Sequence, residues 1–167
     1  MNFPILSLTI FIPLIAGLII LLFPREKTTW PRVTALAAAI ITFVLTIIVY
    51  ASYDIAQGGY QFIEKVPWMP MWDISYHVGV DGISTPLLLM AGVVLFCGTA
   101  VSWNVSDRPR EFFAFLMFLG TSVLGVFASL DLFQLFFFFE LAIFPKYLMI
   151  VIWGYPKTRE YGAMKLT

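Results

Sequence analysis

The stretch from residue 132 to 154, LFQLFFFFELAIFPKYLMIVIWG, is long and apolar enough to cross a bilayer, yet carries Glu140 and Lys146 in its interior. At about 1.5 Å of rise per helical residue, Glu140 lies roughly 12–14 Å beyond Asp131, near the middle of a hydrocarbon core about 30 Å thick. A charged side chain at that depth costs about 2.5–3.5 kcal/mol on insertion scales, and intramembrane acids characteristically turn inward toward a partner or water and mark ion paths. A helix of this kind needs cover from other elements, and the remaining sequence has to supply it.

Composition excludes most other fold classes. Of 167 residues, 60% are hydrophobic, 17% aromatic and only 12% charged, more apolar surface than one soluble core can hide. Lys plus Arg equals Asp plus Glu at ten each, so no bulk field draws nucleic acid or an acidic substrate. The single cysteine, Cys97, supports neither a disulfide framework nor a thiol metal site and reads as a small core hydrophobe. No glycine-rich phosphate loop, Cys/His cluster, nucleophile elbow or haem-attachment motif occurs, so no cofactor site is expected in the chain.

The fold class is therefore all-α integral membrane, a single domain over residues 1–167. The expected spans are 3–23, 33–53, 86–105, 112–130 and 132–153, with the start of a sixth at 160–167. The first begins without the basic region and cleavage site of a signal peptide and reads as a retained span, bent at Pro13. The second opens with an Ala-rich turn suited to close helix packing. In the polar connection 54–81, Trp72, Ile74, Tyr76, Val78 and Val80 alternate with Asp73, Ser75, His77 and Gly79, the period of a half-buried strand. Tyr60 to Val66 is its candidate partner, with Pro67 to Pro70 turning between them, which makes a small β-hairpin on the membrane surface. After it, in GVDGIS, Asp81, Ser84 or Thr85 can cap the third span and Pro86 suits its first turn.

The loops give an orientation. Arg25, Lys27, Arg32, Arg108, Arg110, Lys157, Arg159 and Lys165 fall on one side, against Asp54, Glu64, Asp73, Asp81 and Asp131 with Lys65 on the other. By the positive-inside rule the N-terminus and hairpin lie outside, and residue 167 lies inside.

Glu140 follows four phenylalanines and precedes Pro145 by five positions. Desolvation favours its neutral form and a nearby cation its anion, so a switchable cation would make it a proton station, and a permanent one a structural acid. Lys146 stands six residues on, about 120° around the helix and roughly 9 Å further along, so the two do not share a face. Lys146 either projects toward another acid or runs its stem toward the basic face. Pro145 frees the carbonyl of Leu141, which either holds water beside the acid or marks a packing kink. Lys165, in EYGAMKLT, reads from its position as an interfacial residue.

Together, GVDGIS, FFFFELAIFPKYLMIVIWG and REYGAMKLT resemble the proton-translocating, antiporter-like subunits of respiratory complex I (NADH-quinone oxidoreductase), of the chain M type, over their N-terminal portion. The resemblance implies a fourteen-helix bundle with two inverted five-helix repeats and a central line of charged residues that conducts protons. It implies that Glu140 matches the essential glutamate of helix five, whose partner is a lysine on a later helix, and that Lys165 matches a lysine at the start of helix six. Lys146 stands where many members have an apolar residue, so its role is not inherited. NADH, FMN, iron–sulfur clusters and quinone are then expected in partner subunits and none here. The implied partners are the other membrane subunits, the bilayer of a bacterial plasma membrane, and downstream helices of the same chain or a split partner; no nucleic acid is expected. The chain is expected to be a truncated or split product, or a portion of a longer one. A cation/proton antiporter or membrane-bound hydrogenase subunit would share these features, and a non-transporting scaffold would use the charges only to fix packing.

Overall fold

The computed structural model describes residues 4–24, 28–69, 71, 74–155 and 159–165, with the side chains of Arg159, Glu160 and Ala163 excepted. Arg25, Lys27, Trp72, Asp73 and Lys157, and the end of the expected sixth span, lie outside the described residues. Among the described residues there are six α-helices: α1 (Ile5–Leu22), α2 (Thr29–Ser52), α3 (Ser84–Val101), α4 (Pro109–Ala128), α5 (Leu132–Trp153) and the short α6 (Arg159–Met164). The first five are long and apolar enough to cross a membrane, which makes this a multi-pass membrane protein. Strands β1 (Gln61–Met69) and β2 (Ile74–Val80) form an antiparallel pair between α2 and α3.

The helix starts differ from expectation where polar residues belong to first turns. α2 begins at Thr29 rather than 33, so Trp30, Pro31 and Arg32 are helical; the Arg32 guanidinium reaches across to donate to the Val105 carbonyl at 3.0 Å. α4 begins at Pro109, where the ring's fixed φ suits the first turn. α3 begins at Ser84, and Asp81 caps it as read: its Oδ1 accepts from the Ile83 and Ser84 amides at 3.1 and 2.7 Å. Ser84 Oγ accepts from the Asp81 amide in return, at 2.8 Å. The Ser84 amide, the Ser84 hydroxyl, which donates to the same Oδ1 at 2.8 Å, and the Ile83 amide hold the Asp81 carboxyl below its ordinary 3.8.

Helix α4 is the hub: it packs against α1, α2, α3 and α5. Its small residues set the approaches. A Cβ on Gly125 would meet the Phe138 ring at 2.5 Å, so α5 docks there only because the position is glycine. One buried cluster joins Ala16, Ile20, Ala35, Ala38, Ala39, Leu95, Phe113, Ala114 and Met117, where the Ala-rich face of α2 lies against its neighbours. A second unites Leu6, Ile10, Val49, Leu88, Leu124 and Phe138 with Val78 and Val80 of the hairpin. The alternation read in β2 holds in part: Val78 and Val80 are fully buried, but Ser75 and Gly79 are buried as well and Ile74 and Tyr76 only half-buried.

The hairpin departs from expectation at one end. β1 continues through Pro67 to Met69, with Pro67 opposite Ser75, rather than turning there. A two-stranded pair has only edge strands, which tolerate a residue without an N–H. Register irregularities on either side absorb the distortion, and Phe62, at φ 54°, lies in the one between Gln61 and Glu64. Cys97 also departs: it is exposed on α3, on the opposite side from the inward stripe Leu88, Ala91, Leu95 and Thr99.

Candidate functional site

Helix α5 carries the candidate residues, and both of its ends are tied down. Asp131 caps it, accepting from the Phe133 and Gln134 amides at 2.8 and 3.2 Å. β2 grips the same end: the Leu130 amide donates to the His77 carbonyl at 2.9 Å, and the His77 amide donates to Gln134 Oε1 at 2.8 Å. At the far end the Trp153 indole N–H donates to the Asp107 carbonyl at 2.8 Å, between α3 and α4. Between these anchors only Gln134, Phe138 and Pro145 are buried, a stripe at helical spacing.

Glu140 is exposed, about 140° around the helix from the centre of that stripe. The expectation that it turns inward is not met within these residues, because α4 covers the opposite face. Lys146 is half-buried on the other flank of the stripe, so no contact joins the two, as the helical spacing requires. Lys165 is exposed, its Nζ 5.7 Å from the centroid of the Tyr161 ring, and is not brought to Glu140 either. Among the described residues, none of the three has an ion-pair partner.

Charge separates along the helix axes. Arg32 and Arg110 cluster at one end, where Arg110 bridges the Phe23 carbonyl at 3.1 Å and Glu111 at 2.9 Å. The hairpin end carries Glu64, Asp81 and Asp131. Glu64 has a task that its sequence position did not signal. Its carboxylate accepts from the Leu6 amide at 2.9 Å, from the Ser7 amide at 3.2 Å and from the Ser7 hydroxyl, so it caps α1 from 58 residues away. The Ser7 hydroxyl also lies 2.9 Å from the Tyr76 hydroxyl, whose pKa is raised above 10.0 chiefly by burial. Gln134 was the other omission. A lone amide in an otherwise apolar run was its visible signal, although not its partner on β2.

Among the described residues no group of three or more His, Cys, Asp or Glu side chains is placed to hold a metal. The arrangement instead offers one carboxylate midway along a helix anchored at both ends, on a face left open by the described residues.

No protein-family model matches the chain. It is 39% identical over 165 residues to NAD(P)H-quinone oxidoreductase chain 4-2 of Synechocystis, a match covering 98% of this chain and 29% of that protein. Against chain 4 of Gloeobacter violaceus it is 37% identical over 164 residues, covering 98% and 30%. Respiratory complex I from Thermus thermophilus with bound NADH contains a chain of like fold, with a TM-score of 0.79 at 24% identity, over 95% of this chain and 31% of that one. The chain thus spans about three-tenths of the length of its relatives, and along nearly all of its own length it is similar to chain 4 of NAD(P)H-quinone oxidoreductases.

Proposed function

We propose that this chain is the front portion of a proton-translocating, M-type membrane subunit of an NADH-quinone oxidoreductase, with Glu140 as a proton station. The observation that carries the reading is a carboxylate at mid-depth on an apolar helix, exposed on a face that α1–α4 leave open. A charge left against lipid at that depth would cost about 2.5–3.5 kcal/mol, so the open face calls for protein cover beyond these residues, which relatives three times as long can supply. A cation brought close across that interface would hold Glu140 ionised, and its withdrawal would release a proton-accepting site.

In this reading redox chemistry, with NADH, FMN, iron–sulfur clusters and quinone, belongs to other subunits, and their signal reaches this one as movement or charge. Lys146 and Lys165 are secondary candidates for the same charged line. The basic end faces the inside and the N-terminus and hairpin face the outside, following the split between Arg32 and Arg110 at one end and Glu64, Asp81 and Asp131 at the other.

Glu140→Gln in the assembled complex tests the role. Proton translocation should fall to background while the assembled complex remains intact on a native gel; full translocation in the variant would leave Glu140 a packing residue and favour the scaffold reading. An antiporter reading predicts the same loss without NADH-dependent electron transfer, so measuring both activities separates the two.

A further inference from the structure

Helix α5 carries hydrophobic side chains on every side, so burial does not choose which face turns toward α4. Steric fit does not choose either. The notch at Gly125 receives the Phe138 ring, but residues 136–139 are all phenylalanine. A slip of one residue along α5, about 100° of rotation and about 1.5 Å of rise, would offer the notch Phe137 or Phe139 instead. Two polar ties do discriminate. Near the hairpin Gln134 Oε1 accepts from the His77 amide at 2.8 Å, and at the far end the Trp153 indole N–H donates to the Asp107 carbonyl at 2.8 Å. The same slip would bring Phe133 or Leu135 to the first place and Ile152 or Gly154 to the second, none of which carries a side-chain acceptor or donor. Gln134 is 4% exposed, and among the described residues its Nε2 is buried without a partner. A leucine would fill that space without an unmatched N–H, so the oxygen is what the position uses.

We propose that Gln134 and Trp153 are positioning residues whose hydrogen bonds select one rotation of α5 and so aim Glu140 away from α4. The inference rests on the reading of Glu140 as a proton station and adds what points it. A slip in one direction would put the carboxylate where Leu141 packs against the core, and in the other where Phe139 stands. At a side-chain radius of about 5 Å, a turn of about 100° displaces the acid by about 8 Å. Proton transfer needs groups within about 2.6–3.2 Å, directly or through one water, so either slip would take the station out of reach of its partner.

Cysteine crosslinking and proton translocation, both in the assembled complex and with Cys97→Ala, test it. Gly125→Cys is paired with Phe138→Cys, or with Phe137→Cys or Phe139→Cys in the presence of Phe138→Ala, which makes room at the notch. The disulfide should form with position 138 alone while both ties are intact, and spread to 137 or 139 when Gln134→Leu and Trp153→Phe are combined. Trp153→Phe alone keeps the ring contacts with Phe112 and Phe115, at 5.3 and 6.4 Å between centroids, and reads the same spread if the double variant does not assemble. Protons translocated per electron should fall about three- to tenfold in Gln134→Leu, the worth of one neutral hydrogen bond. Gln134→Glu, which keeps an oxygen toward the His77 amide, should restore them. Crosslinks that stay at 138 once the ties are removed, full translocation in Gln134→Leu, or no recovery in Gln134→Glu would each overturn the assignment. Full translocation by Glu140→Gln would sink the proton reading instead, and the crosslinks would still decide whether the two ties set the rotation.

Discussion

Helices α4 and α5 are neighbours of nearly equal length, 20 and 22 residues, and are held in opposite ways. Nine residues of α4 are buried, against three of α5. α4 is fixed along its flank by close packing around Phe113, Ala114, Met117 and Leu124, whereas α5 is fixed at its ends by Asp131, Gln134 and Trp153. The difference teaches where specificity comes from in a bilayer. Lipid tails are as apolar as leucine, so burial alone attracts little, and fit or hydrogen bonding has to set position.

The contrast breaks most sharply at Phe113. Phe113→Ala should destabilise the chain by about 3 kcal/mol, the low end of the usual range because the cavity remains while the transfer term shrinks in lipid. Steric-trap or denaturant unfolding in bicelles would read it, and a loss below about 0.5 kcal/mol, the surface norm, would erase the distinction. Glu64→Ala removes a charged acceptor from two backbone amides and a hydroxyl at the start of α1, and should cost about 2 kcal/mol in the same assay. Asp131→Ala should cost about 1 kcal/mol and show as faster amide exchange confined to the first turn of α5. Phe136→Ala, on the exposed face of α5, should stay within about 0.5 kcal/mol.

The smallest effect is pH dependent. Asp81 is lowered in the folded chain, so its cap contributes fully above the ordinary 3.8 and is lost as pH falls through the lower folded value. Exchange at the Ile83 and Ser84 amides should accelerate only in that acid window, and Asp81→Asn should flatten the response.

What the sequence made legible was local. The Asp81 cap, the part of the β2 alternation that buries Val78 and Val80, and the Ala-rich face of α2 depend on spacing of a few residues, which a helix or strand converts directly into direction. What stayed hidden depends on distant parts of the chain meeting. Glu64 reaches Leu6, and His77 meets Gln134, through tertiary approach that no local period encodes. Cys97 lies outside the expected core for a related reason: α3 is apolar on every side, so hydrophobicity alone does not tell its inner face from its outer one. For Glu140 the position midway along α5 was readable from the run length, while its exposure, on a face away from α4, follows from how distant helices pack.

The placement of the hairpin also dictates an order of events during synthesis. Glu64 seeks a partner already made, Leu6, whereas the His77 amide waits for Gln134, 57 residues still to come. A nascent chain can therefore seat the hairpin on α1 early, but its grip on α5 closes only after two further crossings have been translated. Ribosome-stalled intermediates ending between those two moments would carry an unfinished clasp open to chaperones or proteases.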